Sequence, residues 1–425
     1  MSPAAKSLFG VLRHRDFRLL WLASSFSIVG DRIVTVALAL FVTELTGSAT
    51  DLGLVLAAHA IPLVGFLLIG GVWADRLPRQ QLIVVTDLLR FALHALLAVL
   101  IISGEVQIWQ VVAIEVAFGT AEAFFRPAAT ALIPQTVPED EIQEASALIG
   151  MANNVAEFAG PALATGLVLG LGAGSAFAVD AATFLISAAL VIRVRPRRRA
   201  AEDLQPRKRL LSELADGYRE VRSRTWVWAT LIAFSFALLF GLAPLFVLGP
   251  TVAEQQYGDI AVFGIMEAVL GAGTIAGSIA AIRWRPRHPM RTGMLLACMW
   301  APAQLLFASG VTIVPVLVAT LAAGAGIALF GVWWETALAQ RIPPDKLSRV
   351  TSYDWMLSFA LLPLGYVVAG PLAEAYGAIE VLVVGSAVAA VVMAAGLLPR
   401  ETRMLARLGD EAPPIAAGEN RLSLP

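Results

Sequence analysis

Runs of mostly apolar residues, each long enough to cross a bilayer, recur along the chain with short polar breaks between them. A membrane-spanning helix needs about 20 mainly apolar residues. Measured against that length, the pattern predicts twelve helices, over 18–42, 52–72, 81–103, 108–133, 142–169, 175–192, 226–248, 259–282, 293–309, 314–338, 348–372 and 378–398. The fourth, fifth and tenth carry acids and depart furthest from a purely apolar pattern.

Basic residues test this count. Of 31 Lys and Arg, 4 precede the first helix, 2 lie in loop 2–3, none in loop 4–5, 11 in loop 6–7, 4 in loop 8–9, 3 in loop 10–11 and 4 after the last helix. The opposite loops hold none, and Arg32, Arg90 and Arg126 fall inside helices. Adding or dropping one helix scrambles this separation. Positive charge concentrates on the cytoplasmic side of membrane proteins, so the expectation is a multi-pass plasma-membrane protein with both termini in the cytoplasm.

An internal repeat divides the chain. Pro134–Ile142 and Ala339–Leu347 each follow an acid-bearing helix at an offset of 205 residues, and Ala159-Gly160-Pro161 and Leu364-Gly365-Tyr366 share that offset. The expected organisation is an N-terminal six-helix half over 1–192, a basic linker over 193–225, a C-terminal six-helix half over 226–400 and a tail over 401–425. The run Arg193–Arg199 reads as a juxtamembrane anchor for anionic headgroups rather than a nucleic-acid site. Leu210–Val221 reads as a short amphipathic surface helix, and 409–425 as a disordered tail.

Composition agrees with a membrane chain: 58% of the 425 residues are hydrophobic, 15% are charged, and mean hydropathy is +0.75. The net charge of -1 adds nothing, because the placement of charge matters more than its sum. A single cysteine, Cys298, excludes an internal disulfide and a cysteine-built metal site. The histidines are scattered, with no H-E-x-x-H pattern and no Walker A loop. No cofactor, metal or enzymatic constellation is expected. The first apolar run is too long for a cleavable leader and reads as a retained helix.

One polar stretch says more. Gly70–Gln81 separates the second and third apolar runs, and it holds Gly71, Asp75, Arg76 and Arg79 in the pattern G-x-x-x-D-R-x-x-R, with Gln80 following. It resembles the loop between helices 2 and 3 of major facilitator superfamily transporters, where a second base usually stands at the Gln80 position. That resemblance implies an all-α membrane protein, two six-helix halves around a central cavity, and a cytoplasmic gate in which the aspartate latches the halves together. The loop after the eighth helix has no matching aspartate, so the latch would belong to the first half.

Ala156–Gly166, with Gly160-Pro161 at its centre, resembles the helix 5 Gly-Pro motif of drug/proton antiporters, with alanine replacing some expected glycines. Proline removes one helix hydrogen bond and glycine admits a close neighbour, so a kink is expected there. Phe124–Pro134 with Val137-Pro138 resembles the end of helix 4 in the macrolide-efflux and enterobactin-exporter branch.

Ionisable residues at bilayer depth are costly unless paired or wet, and so are functional candidates. Asp31 lies deep in the first helix with Arg32 turned about 100° away. Asp87 and Arg90 are three apart and read as a structural pair near the gate; Glu122 and Arg126 are four apart and suit an internal pair or a cavity site. Glu335 follows Trp333 and Trp334, and aromatic faces beside a carboxylate suit an organic cation. Glu115, Glu157, Asp180, Glu267 and Asp354 carry less of the argument. His59 and His94 could relay protons, although a lone helical histidine is more often a satisfied packing residue.

The resemblances together imply a monomeric secondary transporter that exports hydrophobic or amphiphilic small molecules, with proton entry as the driving force. Asp31 and Glu335, then Glu122 with Arg126, would couple protons to substrate, and Arg32, Trp333 and Trp334 would line the cavity. A dedicated exporter of one metabolite such as a siderophore, a lysolipid transporter, and a non-transporting membrane sensor or assembly factor are the alternatives.

Overall fold

The computed structural model describes residues 8–138, 141–197 and 218–407. The basic run beyond Arg197, most of the surface helix expected over Leu210–Val221 and the tail over 409–425 lie outside the described residues. Among the described residues the regular structure is helical.

A short 3-10 turn, Leu8–Arg13, precedes α1 (Arg15–Thr46) and is tied down by Glu141, which accepts from Arg13 and lies 2.9 Å from His14 Nε2. Gly47 ends α1 in the left-handed conformation (φ 64), where a side chain would be strained. Ser48 then caps α2 (Ala49–Arg76) by accepting from the Asp51 amide at 3.1 Å. The helices α3 (Arg79–Ser103), α4 (Ile108–Leu132), α5 (Ile142–Leu171) and α6 (Ala173–Val191) follow.

Beyond the linker, Thr225–Tyr257 forms one crossing made of α7 (Thr225–Ala237), a π stretch (Leu238–Leu242) and α8 (Ala243–Tyr257). The π stretch runs into Pro244, which has no amide hydrogen for the helix ladder. Buried Gln304 donates to the Gly241 carbonyl at 3.3 Å, within that stretch. Next come α9 (Ala261–Arg283), α10 (Pro289–Ala297), α11 (Trp300–Ala308), α12 (Ile313–Arg341), α13 (Pro344–Phe359), α14 (Leu362–Tyr376), α15 (Ala378–Ala395) and the short α16 (Arg400–Arg403).

Ten helical segments of the described residues are long and apolar enough to cross a membrane. The expected fifth crossing is one helix of 30 residues, α5, whose stretch Ala159–Leu171 is continuously apolar, and the ninth is broken into α10 and α11, of nine residues each.

Packing explains where the bundle is joined. One apolar core takes residues from α1, α2, α4, α8, α9, α12 and α14 together, including Leu40, Val55, Val111, Val247 and Phe263. Towards the ends that carry the basic loops the core divides. One cluster gathers Phe17, Ile83, Leu132 and Leu148 from α1 and α3–α5, and another gathers Trp226, Met294, Phe330 and Val350 from α7, α10, α12 and α13. Among the described residues the apolar core is therefore continuous at one end and divided at the end bearing the basic loops. The joining contacts run chiefly between α5 and α9 and between α2 and α14.

At the parted end the loop residues cap neighbouring helices. Arg79 donates to the Ala131 carbonyl at 2.8 Å, at the end of α4. The Gln80 amide donates to the carbonyls of Val191, Ile192 and Val194 at 2.9, 3.0 and 2.6 Å. Gln80 thus supplies, at the end of α6, donors that a base would also bring to a helix C-terminus. The side chains of Gly71, Asp75 and Arg76 lie outside the described residues.

Glu220, ahead of α7, accepts from Lys346 at 2.8 Å and from Arg224 at 3.2 and 2.6 Å. Lys346 and Arg224 hold its carboxyl below the ordinary value of 4.5. A carboxylate with a lowered folded-state pKa adds stability above its unfolded value and loses it as pH falls through the folded one. Lys346→Ala is expected to cost at most ~1 kcal/mol near neutral pH. That cost should shrink below about pH 4.5, where the pairing is lost in both proteins. Thermal unfolding in detergent at two pH values checks this; an equal cost at both would count against the pairing.

Candidate functional site

Asp31, His59, Asp87, Arg90, His94, Glu115, Glu122, Arg126 and Asp180 form one network among α1, α2, α3, α4 and α6. Helical spacing builds it. Asp87, Arg90 and His94 follow one face of α3, Glu115, Glu122 and Arg126 one face of α4, and Asp180, Thr183 and Ser187 one face of α6, each at intervals of three, four or seven. The α3 and α6 stripes run antiparallel: Ser187 donates to Asp87 at 2.7 Å, and one helical level away His94 Nδ1 is hydrogen-bonded to Asp180.

Arg90 is fully buried. It donates to Asp87 at 2.5 Å and stands 3.8 Å from Asp31. Its guanidinium lies 3.9 Å from the Phe125 ring centre and 4.2 Å from that of Phe184, which supplies cation–π attraction in place of water. The pair expected from sequence spacing is therefore one element of a larger assembly.

Arg126 holds Glu122 by two donors, Nε at 2.8 Å and a terminal nitrogen at 2.5 Å. Glu122 in turn lies 3.1 Å from His59 Nε2, and the other nitrogen of that ring is 3.2 Å from Glu115. The two histidines, which the sequence offers as proton relays or as packing residues, are the connectors of the network. The α2 backbone approaches closely enough to present His59 because Gly119 of α4 has no side chain; a Cβ there would strike the His59 carbonyl. Side-chain exposure separates an outer rim from an inner part: Arg126 is 50% exposed and Asp31 29%, whereas Glu122 is 7% and Arg90, Asp87 and Asp180 are 0%.

Charge in the network is unbalanced. Among the described residues it holds five carboxylates, Asp31, Asp87, Glu115, Glu122 and Asp180, against the guanidiniums of Arg90 and Arg126. The two imidazoles can offset only part of the difference. Such an arrangement in a medium of low polarity favours bound protons.

Other expected site residues fall elsewhere. Arg32 lies where α1 crosses α5, and a Cβ on Gly160 would overlap it, so Gly160 is the point of closest approach between these helices. The helix α5 continues through Pro161, whose carbonyl accepts from Thr165 at 2.9 Å. Glu335 is exposed on α12 and has no ion pair with the network among the described residues. The expectation that Trp333 and Trp334 line a cavity beside it needs correction. Each is 6% exposed. Trp334 packs against Trp226 and Phe330 and donates to Asp354 at 3.0 Å, and Trp333 packs against Trp284. Successive helical residues diverge by about 100°, so Glu335 lies off the face on which the two rings pack and is exposed. The side chain of Glu157 lies outside the described residues.

Comparison with known proteins settles the family. Residues 6–411 match the transmembrane secretion effector family of the major facilitator superfamily. The chain belongs to that family. This transporter is 23% identical over 372 residues to macrolide efflux protein A of Streptococcus pyogenes, covering 85% of this chain and 90% of the relative. It is 24% identical to the multidrug efflux pump Tap of Mycolicibacterium fortuitum, covering 82% and 87%. Among solved structures it resembles the nucleoside transporter NupG (TM-score 0.72, 12% identity, 90% of this chain and 99% of that one). A bacterial homologue of the lysosomal transporter Spinster gives a TM-score of 0.68 at 17% identity, with 94% of this chain and 99% of that one covered. At such identities the structural likenesses bear on the fold alone. The chain is a multi-pass, helical membrane transporter of efflux type, as its resemblances implied. Its family and these relatives are transporters, which fits the expectation of a non-enzyme.

The sequence offers His59 and His94 as possible proton relays, but their acidic partners lie on other helices and do not show in the spacing of any one of them. The signal that could have found them is the recurrence of polar residues at one-turn and two-turn spacing on three apolar helices.

Proposed function

We propose that this transporter exports hydrophobic or amphiphilic small molecules by alternating access, coupled to proton entry through Asp31, Glu122 and Arg126. The observation that supports this most is an excess of carboxylates in a network whose rim is partly exposed, with Asp31 29% and Arg126 50% open. An acid at such a rim can hold a proton or a cationic substrate, and competition between the two couples their movements. The efflux names of the relatives favour the outward direction for substrate.

In this reading the twelve crossings form two six-helix halves, residues 1–192 and 226–400, and the chain works as a monomer in the plasma membrane. Both termini are cytoplasmic, because the basic loops cluster on one side. The parted end then faces the cytoplasm, and the joined core closes the opposite side. Gly71, Asp75, Arg76 and Arg79 would latch the cytoplasmic side when the halves rock together there.

Ethidium accumulation in cells expressing the chain, with and without a protonophore, tests the reading. The expected result is lower accumulation that the protonophore abolishes. Asp31→Asn and Glu122→Gln should each lose export by about tenfold or more, equivalent to at least ~1.4 kcal/mol. Glu335→Gln should keep it if the network alone couples protons. Unchanged accumulation in the wild type would instead favour a dedicated exporter of one metabolite.

A further inference from the structure

Four members of the network take no part in the proposal above: His59, Glu115, His94 and Asp180. They form a row. His59 stands between two carboxylates, with Nε2 3.1 Å from Glu122 and Nδ1 3.2 Å from Glu115. The second oxygen of Glu115, Oε1, lies 3.8 Å from His94 Nε2, and both atoms are buried without a hydrogen-bond partner among the described residues. On the far side of the same ring, Nδ1 is bonded to Asp180, whose other oxygen is also buried without a partner. Side-chain exposure falls steadily along the row, from 27% at His59 to 3% at Glu115 and 0% at His94 and Asp180.

We propose that this row is a proton wire. Glu122 and His59 are its mouth, Glu115 is its carrier, and the buried His94–Asp180 pair is a second proton site remote from the cavity. The proposal rests on the proton-coupled reading given above and adds a route and an inner terminus to it.

The chemistry is balanced at every step. Protonated Glu122 gives its hydrogen to His59 Nε2, while the hydrogen on Nδ1 of that ring passes to the Glu115 carboxylate. One N–H bond forms and one breaks, and the ring ends with its original charge. The hydrogen then sits on Glu115 Oε2, and rotation of the carboxyl carries it round to the side that faces His94, to whose Nε2 it is given. A movement of roughly 0.6–1 Å brings the 3.8 Å separation within hydrogen-bond reach. His94 becomes an imidazolium against the Asp180 carboxylate, and Glu115 returns to its anionic form. The reverse sequence releases the proton.

The surroundings leave His94 one polar outlet. Its ring is stacked on Phe118 at 3.9 Å and 4°, and Phe177 and Phe184 close other sides at 5.7 and 6.1 Å. The charged groups that face the row are Asp31 from α1, Asp87 and Arg90 from α3, and Glu122 and Arg126 from α4. The positive charge of Arg90 is matched by Asp87 and Asp31, so it does not bar a proton from His94.

The chain has only four histidines, His14, His59, His94 and His288. Ring nitrogen signals from 15N-histidine-labelled protein in lipid nanodiscs can therefore be resolved and assigned by single His→Gln variants. In the wild type, His94 is expected to pass between neutral and imidazolium forms as pH changes. In Glu115→Gln its exchange should slow by at least tenfold while His59 continues to respond, and Glu115→Asp should restore it. A His94 that stays in one form across the pH range, or that exchanges unchanged in Glu115→Gln, overturns the wire. Ethidium export that ignores a protonophore while His94 still titrates through Glu115 would sink the coupling reading and leave the wire standing. Protonophore-sensitive export with an inert His94 would do the reverse.

Discussion

Arg90→Ala is expected to cost about 3–5 kcal/mol of stability. The reason lies in what it leaves behind. Arg90 and Asp87 are both fully buried, and Arg90 donates to Asp87 at 2.5 Å. Removing the guanidinium strands a carboxylate with only Ser187 to donate to it. It also empties the space against Phe125 and Phe184. Asp87→Asn in the same chain should recover part of the loss, because the stranded group is then neutral. Arg90→Lys should do less well than its charge suggests, since an ammonium cannot lie flat against two rings. Thermal unfolding in detergent, followed by tryptophan fluorescence, measures all three. Wild-type stability of Arg90→Ala, or no recovery in the double variant, would show that the pair does not hold the helices together.

Gly53→Leu is expected to unbalance the two access states. Gly53 lies where α2 meets α14 in the joined core; a Cβ there would strike the Tyr366 carbonyl, with Val247 Cγ1 3.5 Å away. Thr50, one turn earlier, donates to Glu374 of the same partner helix. Overfilling a packed contact costs about 1–3 kcal/mol. Each 1.4 kcal/mol is roughly a factor of ten in population. The joined end should therefore open in a substantial fraction of molecules, and export should fall because one half of the cycle is disfavoured. Spin labels at Leu45 and Tyr376, both exposed near that end, report the separation once Cys298 is replaced by serine. A lengthened distance with lost export is the expected result. An unchanged distance with normal export would mean that this contact does not hold the joined end closed.

These two sites differ in kind. The first is a fixed internal strut of the bundle, and its loss is read as stability. The second is a contact that alternating access must make and break, and its loss is read as a shift between states. Glu122, His59 and Asp31 lie between them in character: they are anchored by buried partners yet keep enough exposure to meet solvent. That combination suits groups that take up and release protons while the scaffold around them stays rigid.

The sequence by itself determined the membrane class, the placement of most helices, and the family. Bilayer thickness imposes a length on every crossing helix, and the family-like stretch Gly71–Arg79 is short and local, so both can be read along one dimension. Pairs such as Glu122 with Arg126 and Asp87 with Arg90 were legible for the same reason, since helical spacing alone brings them together. Tertiary structure decided the rest. His59, Glu115, His94 and Asp180 come from four helices; spacing along the chain marks polar faces on α3, α4 and α6 but does not say which faces meet. Trp333 and Trp334 read as cavity walls until packing turned them towards Trp284, Phe330 and Trp226. The direction in which a helix faces depends on its neighbours, and in a chain that is apolar nearly all round, hydrophobic patterning does not specify it. The glycine contacts and buried charges do, and they act only once the helices are packed.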